Sequence, residues 1–116
     1  MEAGTRRTIA YVAGRAISGR QSSSVYDYDA SGHFSFSGDV SGDRASVYDY
    51  DRGCHVSGPL KSLYDYATGT SVQLNVNGRQ FSGYDYSSGS HFSGRVAGQS
   101  VSLYDYETGS PYSYSV

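Results

Sequence analysis

Apolar and polar residues alternate along several short stretches of the chain. Val72, Leu74 and Val76, for example, are separated by two polar residues, and the last five residues alternate in the same way. A period of two puts each apolar set on one face of a β-strand. No window keeps a helical period, and the many glycines and serines disfavour helix. The pattern therefore predicts an all-β chain of about eleven short strands, the first at 8–12.

The tripeptide Tyr-Asp-Tyr occurs five times and gives the chain a repeat. Its copies begin at residues 26, 48, 64, 84 and 104, so successive copies start 22, 16, 20 and 20 residues apart. A glycine lies six residues before the first tyrosine in four units and five residues after it in four units. Gly32 comes six residues after Tyr26, which indicates a one-residue insertion in that unit.

Two glycines per unit predict two turns per unit. The segment 67–69, Ala-Thr-Gly, is typical of a three-residue hairpin loop whose last residue is left-handed. Asn77-Gly78 is the strongest short hairpin signal, and the other turns of its kind are weaker versions. We expect a single domain, 1–116, in which the unit that opens at Gly53 is short and has one stunted or bulged strand. The approximate bounds are 5–13 for a half unit and 14–41, 42–57, 58–77, 78–97 and 98–116 for the hairpin units.

The aspartates of the repeat discriminate between two architectures. In a solenoid, units stack about 4.8 Å apart, which would align five carboxylates in one repulsive column. In an antiparallel meander, another strand separates each pair of carboxylates, so they lie about 9.6 Å apart. We therefore predict an antiparallel meander of hairpin repeats. The strands at 8–12 and 112–116 would lie side by side and close it as a barrel or flower-like array.

Each Tyr-Asp-Tyr strand has two chemically different faces. In the last copy, Leu103 and Asp105 share one face, and Tyr104 and Tyr106 share the other. On a structural interpretation, the tyrosines pair across strands and the aspartates accept hydrogen bonds from turn amides or hydroxyls. On a functional interpretation, the rings stack on sugars or bases while the carboxylates bind hydroxyl groups. The candidate ligand-binding residues are then Tyr26, Asp27, Tyr28, Tyr48, Asp49, Tyr50, Tyr64, Asp65, Tyr66, Tyr84, Asp85, Tyr86, Tyr104, Asp105 and Tyr106.

The aliphatic face of these strands looks too thin to be the only core, because each strand contributes few large side chains to it. We therefore expect both faces to be substantially covered. The tyrosines would pack against each other or against a second copy of the chain, which predicts a homo-oligomer.

Charge and cysteine content exclude some classes of function. The formal net charge is -2, which gives no reason to expect nucleic acid or a membrane as partner. Arg6 and Arg7 are interpreted as solvated basic spots. No apolar run follows the N-terminal arginines, so no signal peptide is predicted. Cys54 is the only cysteine, so no disulfide can form within the chain. We expect a cytoplasmic protein by default.

The remaining reactive residues do not form a recognisable catalytic motif. Cys54 and His55 are adjacent, so in a strand they point to opposite faces. His33, His55 and His91 each follow a turn, and a metal site that recruits them is a second alternative. The favoured interpretation is a structural or protein-interaction module that is not an enzyme and has no cofactor. The first alternative is a module that binds carbohydrate or another ring-stacking ligand through the Tyr-Asp-Tyr face.

One stretch of the chain resembles a known repeat. Residues 28–32, Tyr-Asp-Ala-Ser-Gly, are similar to the YD repeat of bacterial toxin shells and teneurins, whose core is Tyr-Asp-x-x-Gly in units of about twenty residues. The last three units, at Tyr66, Tyr86 and Tyr106, lack the aspartate after the tyrosine. The resemblance implies aromatic β-hairpins and assigns no functional residue.

Overall fold

Ten antiparallel strands follow one another along the chain and close into a barrel around a single helix. The computed structural model describes all residues, 1–116. The strands are β1 (Ser24–Asp27), β2 (Gly32–Ser41), β3 (Arg44–Asp49), β4 (Cys54–Pro59), β5 (Leu63–Asp65), β6 (Thr70–Asn77), β7 (Gln80–Asp85), β8 (Ser90–Ala97), β9 (Ser100–Asp105) and β10 (Ser110–Ser115). Each pairs with its neighbours in sequence, and β1 pairs with β10. The predicted all-β antiparallel meander, closed as a barrel, is confirmed.

The N-terminal segment is a helix, and the strand predicted at 8–12 is wrong. Helix α1 (Ala3–Ser18) lies inside the barrel, where it contacts β1, β2, β6, β8 and β9. Its five consecutive residues 9–13 are each at most 1% exposed, so every side of the helix is enclosed. The barrel therefore has ten strands instead of eleven, and β1 is the strand that closes it against β10.

The aliphatic face of the strands is the core of the protein. Val47, Val56, Leu63, Val72 and Leu103 are at most 1% exposed and line the barrel wall around α1. The expectation that this face is too thin to be the core fails because α1 supplies the missing volume. Side chains of modest size suffice when they pack against a central helix instead of against the opposite wall.

The turns after the Tyr-Asp-Tyr strands end in a left-handed residue, as predicted, but each loop has four residues instead of three; residues 66–69, for example, lie between the paired Asp65 and Thr70. In four units the turn glycine has φ between +65° and +70°, and its amide donates to the carbonyl of the repeat aspartate at 2.8 Å. In the first unit Ser31 occupies this left-handed position, with φ of 54°. Ser31 lies five residues after Tyr26, so the predicted insertion before Gly32 is absent.

Two glycines in the wall make room for phenylalanine rings. Gly83 pairs with Phe92 across β7 and β8, and Gly94 pairs with Phe81. A Cβ at Gly94 would lie 2.2 Å from Cζ of Phe81 and 2.3 Å from the carbonyl oxygen of Ser102. The rings therefore occupy space that a side chain at Gly83 or Gly94 would fill.

The stunted strand is also present, because β5 has only three residues and follows the short 3-10 turn Leu60–Ser62.

Candidate functional site

The barrel wall separates the two residue types of the Tyr-Asp-Tyr motif. The five aspartates point into the barrel and are between 0% and 3% exposed. The second tyrosine of each motif points outward and is 58–61% exposed. We call the ten outward tyrosines the tyrosine belt. Its members are Tyr26, Tyr28, Tyr48, Tyr50, Tyr64, Tyr66, Tyr84, Tyr86, Tyr104 and Tyr106.

The rings of the tyrosine belt hold one another in place. In each motif the two rings meet edge to face, with centroids 4.7–4.9 Å apart and planes inclined by 68–73°. Three first tyrosines also contact a histidine edge-on, at 4.7–4.8 Å. These pairs are Tyr26 with His33, Tyr48 with His55 and Tyr84 with His91. The edge-to-face contacts are the favourable geometry for aromatic rings, so the belt is ordered before any partner arrives.

Each repeat aspartate caps the turn that follows it. One carboxylate oxygen, Oδ1, accepts a hydrogen bond from the amide two residues later, at 2.9–3.1 Å in all five units. This is the structural role set out above for the aspartates. The candidate ligand-binding aspartates consequently do not share a surface with the tyrosines. They are Asp27, Asp49, Asp65, Asp85 and Asp105.

The second oxygen, Oδ2, faces cations in four of the five units. Asp27 accepts from Arg7 at 3.2 Å, and Asp105 accepts from Arg6 at 3.1 Å. Arg52 bridges two further carboxylates, at 2.7 Å to Asp49 and 2.9 Å to Asp65. The ammonium of Met1 also donates to Asp105, at 3.1 Å. Asp85 has no cationic partner, and its Oδ2 accepts only from the hydroxyl of Ser88, at 2.9 Å.

The interior charges shift the acidity of Asp105. Burial by itself would raise the pKa of this carboxyl group. The Glu107 amide, the Met1 ammonium and Arg6 oppose that effect and hold the pKa below its ordinary value of 3.8. The interpretation of Arg6 and Arg7 as solvated spots is therefore wrong, since both form ion pairs inside the barrel. The signal that sequence reasoning missed is that five inward carboxylates require nearby cations.

The histidines do not come together. His33, His55 and His91 lie on β2, β4 and β8, each against its own tyrosine, and no three His, Cys, Asp or Glu side chains are grouped as a metal site. Cys54 is half-buried, and burial raises the pKa of its thiol. His55 is exposed on the outer surface, where it packs on Tyr48.

No family model, no curated protein and no solved structure matches the chain. The helix α1 is the only long helix, and it lacks the length and apolar character needed to cross a bilayer. The arrangement of the chain's own residues is thus the basis for a functional proposal.

Two shallow clefts on the outer surface adjoin the tyrosine belt. One lies over β6 to β9 and is lined by Gln73, Asn75, His91, Ser93 and Tyr106, among others. The other lies near the start of β4, and its lining includes His55, Ser57 and Tyr66. Both clefts offer an aromatic ring, an imidazole and a hydroxyl group, which can stack on and hydrogen-bond to a small polar molecule.

Proposed function

We propose that the protein is a non-catalytic binding module that contacts its partner through the tyrosine belt. The observation that carries the proposal is the exposure of the five second tyrosines, each 58–61% exposed at the same position of its unit. Large rings exposed together on a small domain are typical of an interaction surface. Tyrosine is favoured there because it has an apolar body and a polar tip.

The order of the belt supports the proposal energetically. A binding surface of flexible side chains loses conformational entropy when a partner arrives, at a cost of about 0.5–1.5 kcal/mol for each immobilised side chain. Here each exposed ring already rests against its neighbour, with centroids less than 5 Å apart. Most of that entropic cost is therefore met during folding.

The surroundings of the reactive groups support a non-catalytic role. The five repeat carboxylates are committed to turn amides, and four of them also to cations. Cys54 has a raised pKa, so little of the nucleophilic thiolate is present at neutral pH. His55, its neighbour in sequence, packs on Tyr48 at the outer surface.

The partner need not be a second copy of the chain. The expectation of a homo-oligomer depended on a core too thin to be stable alone, and α1 removes that reason by filling the barrel. Self-association through the belt is retained as an outcome that the experiment distinguishes.

The proposal is tested by NMR on protein with ¹³C-labelled tyrosine rings. Indole, adenosine and methyl glucoside are titrated, and light scattering follows the mass across a concentration series. We expect at least one probe, or self-association, to shift the signals of the five second tyrosines. Tyr11 and Tyr114 are internal controls, because both are buried at 1% exposure or less. A strict monomer whose belt signals respond to none of the probes would contradict the proposal.

A further inference from the structure

The two clefts beside the tyrosine belt occupy equivalent positions in the barrel. In one, the amide of Tyr66 donates to the carbonyl of His55 at 3.1 Å. In the other, the amide of Tyr106 donates to the carbonyl of His91 at 3.2 Å. The serine two residues after each histidine, Ser57 or Ser93, also lines its cleft. The same backbone contact thus places a tyrosine, a histidine and a serine side by side in both clefts. A chance depression in the surface is not expected to repeat this arrangement.

The other three positions of this kind lack the imidazole. The same backbone bond, at 3.2 Å, joins the second tyrosine to a serine carbonyl in each of them. These pairs are Tyr28 with Ser113, Tyr50 with Ser35 and Tyr86 with Ser71. His33, the third histidine, packs on Tyr26 as the other two pack on their own tyrosines, but it lies two residues before Ser35, whose carbonyl accepts the bond from Tyr50. Only two of these five backbone contacts therefore place a histidine beside the second tyrosine of a neighbouring motif.

Each cleft combines the groups that a sugar ring requires. Tyr66 is 61% exposed and Tyr106 is 58% exposed, so each has a free aromatic surface for the C–H face of a pyranose. The exposed imidazoles are steadied by their contacts with Tyr48 and Tyr84, at 4.8 Å between centroids. Imidazole and serine groups can donate and accept hydrogen bonds at the rim of the sugar. The cleft at His91 adds amide groups from Gln73 and Asn75.

The local charge favours a neutral ligand. The turns at this end of the barrel carry three exposed charged side chains, and all of them are acidic: Asp29, Asp51 and Glu107. The arginines at this end, Arg6, Arg7 and Arg52, are at most 12% exposed in their side chains and are paired with carboxylates. A phosphate-bearing ligand would meet negative charge at these turns, and the exposed Arg95, which is on the same face of β8 as His91 and Ser93, lines neither cleft. A neutral polyol meets no such repulsion.

We propose that each of the two clefts binds one unit of a neutral saccharide, so that the protein is a bivalent glycan-binding module. This inference rests on the proposed function and assigns it a ligand class and two sites. The Tyr66 and Tyr106 rings stack on the sugar, and the imidazoles and serine hydroxyls bind its hydroxyl groups.

The experiment starts with an array of neutral oligosaccharides, followed by calorimetric titration of the best glycan. We expect two sites per chain. The double variant His55→Ser, His91→Ser replaces both imidazoles with the serine that occupies the equivalent position at Ser71. It should weaken binding by roughly tenfold or more. His33→Ser is the matched control, since it removes an exposed imidazole that adjoins neither cleft. It should keep the affinity within about twofold.

The inference is overturned if no neutral glycan binds, or if the His33→Ser control weakens binding as much as the double variant does. It is also overturned if one glycan binds per chain and the double variant leaves the affinity for that glycan unchanged. Thermal unfolding of each variant checks that the fold is kept. Failure here is distinguishable from failure of the proposed function. If indole or adenosine still shifts the belt tyrosines while no glycan binds, the belt is a binding surface and only the saccharide assignment is wrong.

Discussion

Arg6 of the enclosed helix donates a hydrogen bond of 3.1 Å to the carboxylate of Asp105 in β9, across 99 residues of sequence. Both side chains are nearly inaccessible to solvent, with 9% and 0% of their side-chain surface exposed. The same carboxylate caps the turn after β9 through the Glu107 amide. One aspartate therefore joins a local turn to the helix in the barrel interior.

Asp105→Asn should destabilise the protein by about 3 kcal/mol, because it leaves Arg6 as a buried cation without its counter-charge. The matched control is Asp85→Asn. Asp85 caps its turn in the same way but has no cationic partner, so its loss should cost about 1 kcal/mol or less. Urea denaturation of the two variants measures the difference. Equal losses would mean that the ion pair contributes nothing beyond the turn cap.

The lowered pKa of Asp105 predicts a loss of stability in acid. A carboxyl group whose folded pKa lies below its ordinary value of 3.8 stabilises the protein above that pH and ceases to do so as the pH falls through the folded pKa. The free energy of unfolding should thus decrease between about pH 5 and about pH 3. In Asp105→Asn this decrease should be smaller. Denaturation curves at several pH values provide the test, and identical pH profiles would contradict it.

Ser31→Gly should stabilise the protein by about 1 kcal/mol. Ser31 is the only non-glycine residue with positive φ, and the left-handed conformation strains a residue that has a Cβ. Gly69→Ser, at the corresponding position of a later turn, should destabilise by a similar amount. Thermal unfolding of both variants measures the pair. A destabilised Ser31→Gly protein would show that the Ser31 side chain has a role of its own.

Gly94→Ala should destabilise the protein by about 3 kcal/mol, since the added methyl group would overlap the Phe81 ring and the Ser102 carbonyl group. Gly32→Ala is the control. Gly32 has no positive φ, and the nearest atom to an added Cβ there is 3.9 Å away, so the change should alter stability by only about 0.5 kcal/mol. Chemical denaturation of both variants distinguishes close packing at Gly94 from a general sensitivity of wall glycines. A well-folded Gly94→Ala protein of unchanged stability would contradict the packing argument.

The sequence was sufficient for the features that depend on neighbouring residues. Alternation identified most strands, the glycine period identified the turns, and the repulsion between stacked aspartates favoured the antiparallel meander. The barrel was also predicted, but the strand expected to close it, 8–12, was wrong. The same alternation separated Leu103 and Asp105 from Tyr104 and Tyr106 onto opposite faces. These features could be predicted because strand faces and turn conformations are determined within a few residues.

The candidate site was predicted only in part. The tyrosines and aspartates were identified as a set, but their division between surface and interior depends on which face of the wall is buried. The clefts were missed because each joins a tyrosine to a histidine on a neighbouring strand, such as Tyr106 and His91. That neighbourhood follows from strand register, which a pattern within one strand does not contain.

Only the tertiary structure decided what fills the barrel. The segment 8–12 contains strand-favouring residues such as Tyr11, but residues 9, 12, 13, 16 and 17 are apolar at helical spacing, so the statement that no window keeps a helical period was wrong. Polar residues of this helix, among them Arg6, Thr8 and Arg15, are buried as well, so it lacks the exposed polar face by which a surface helix is recognised. Arg6 and Arg7 were interpreted as surface residues, but inside the barrel they pair with Asp105 and Asp27. The N-terminal segment forms a helix because a helix fills the interior of the closed barrel and pairs with its inward carboxylates. That interior exists only after strands distant in sequence have paired.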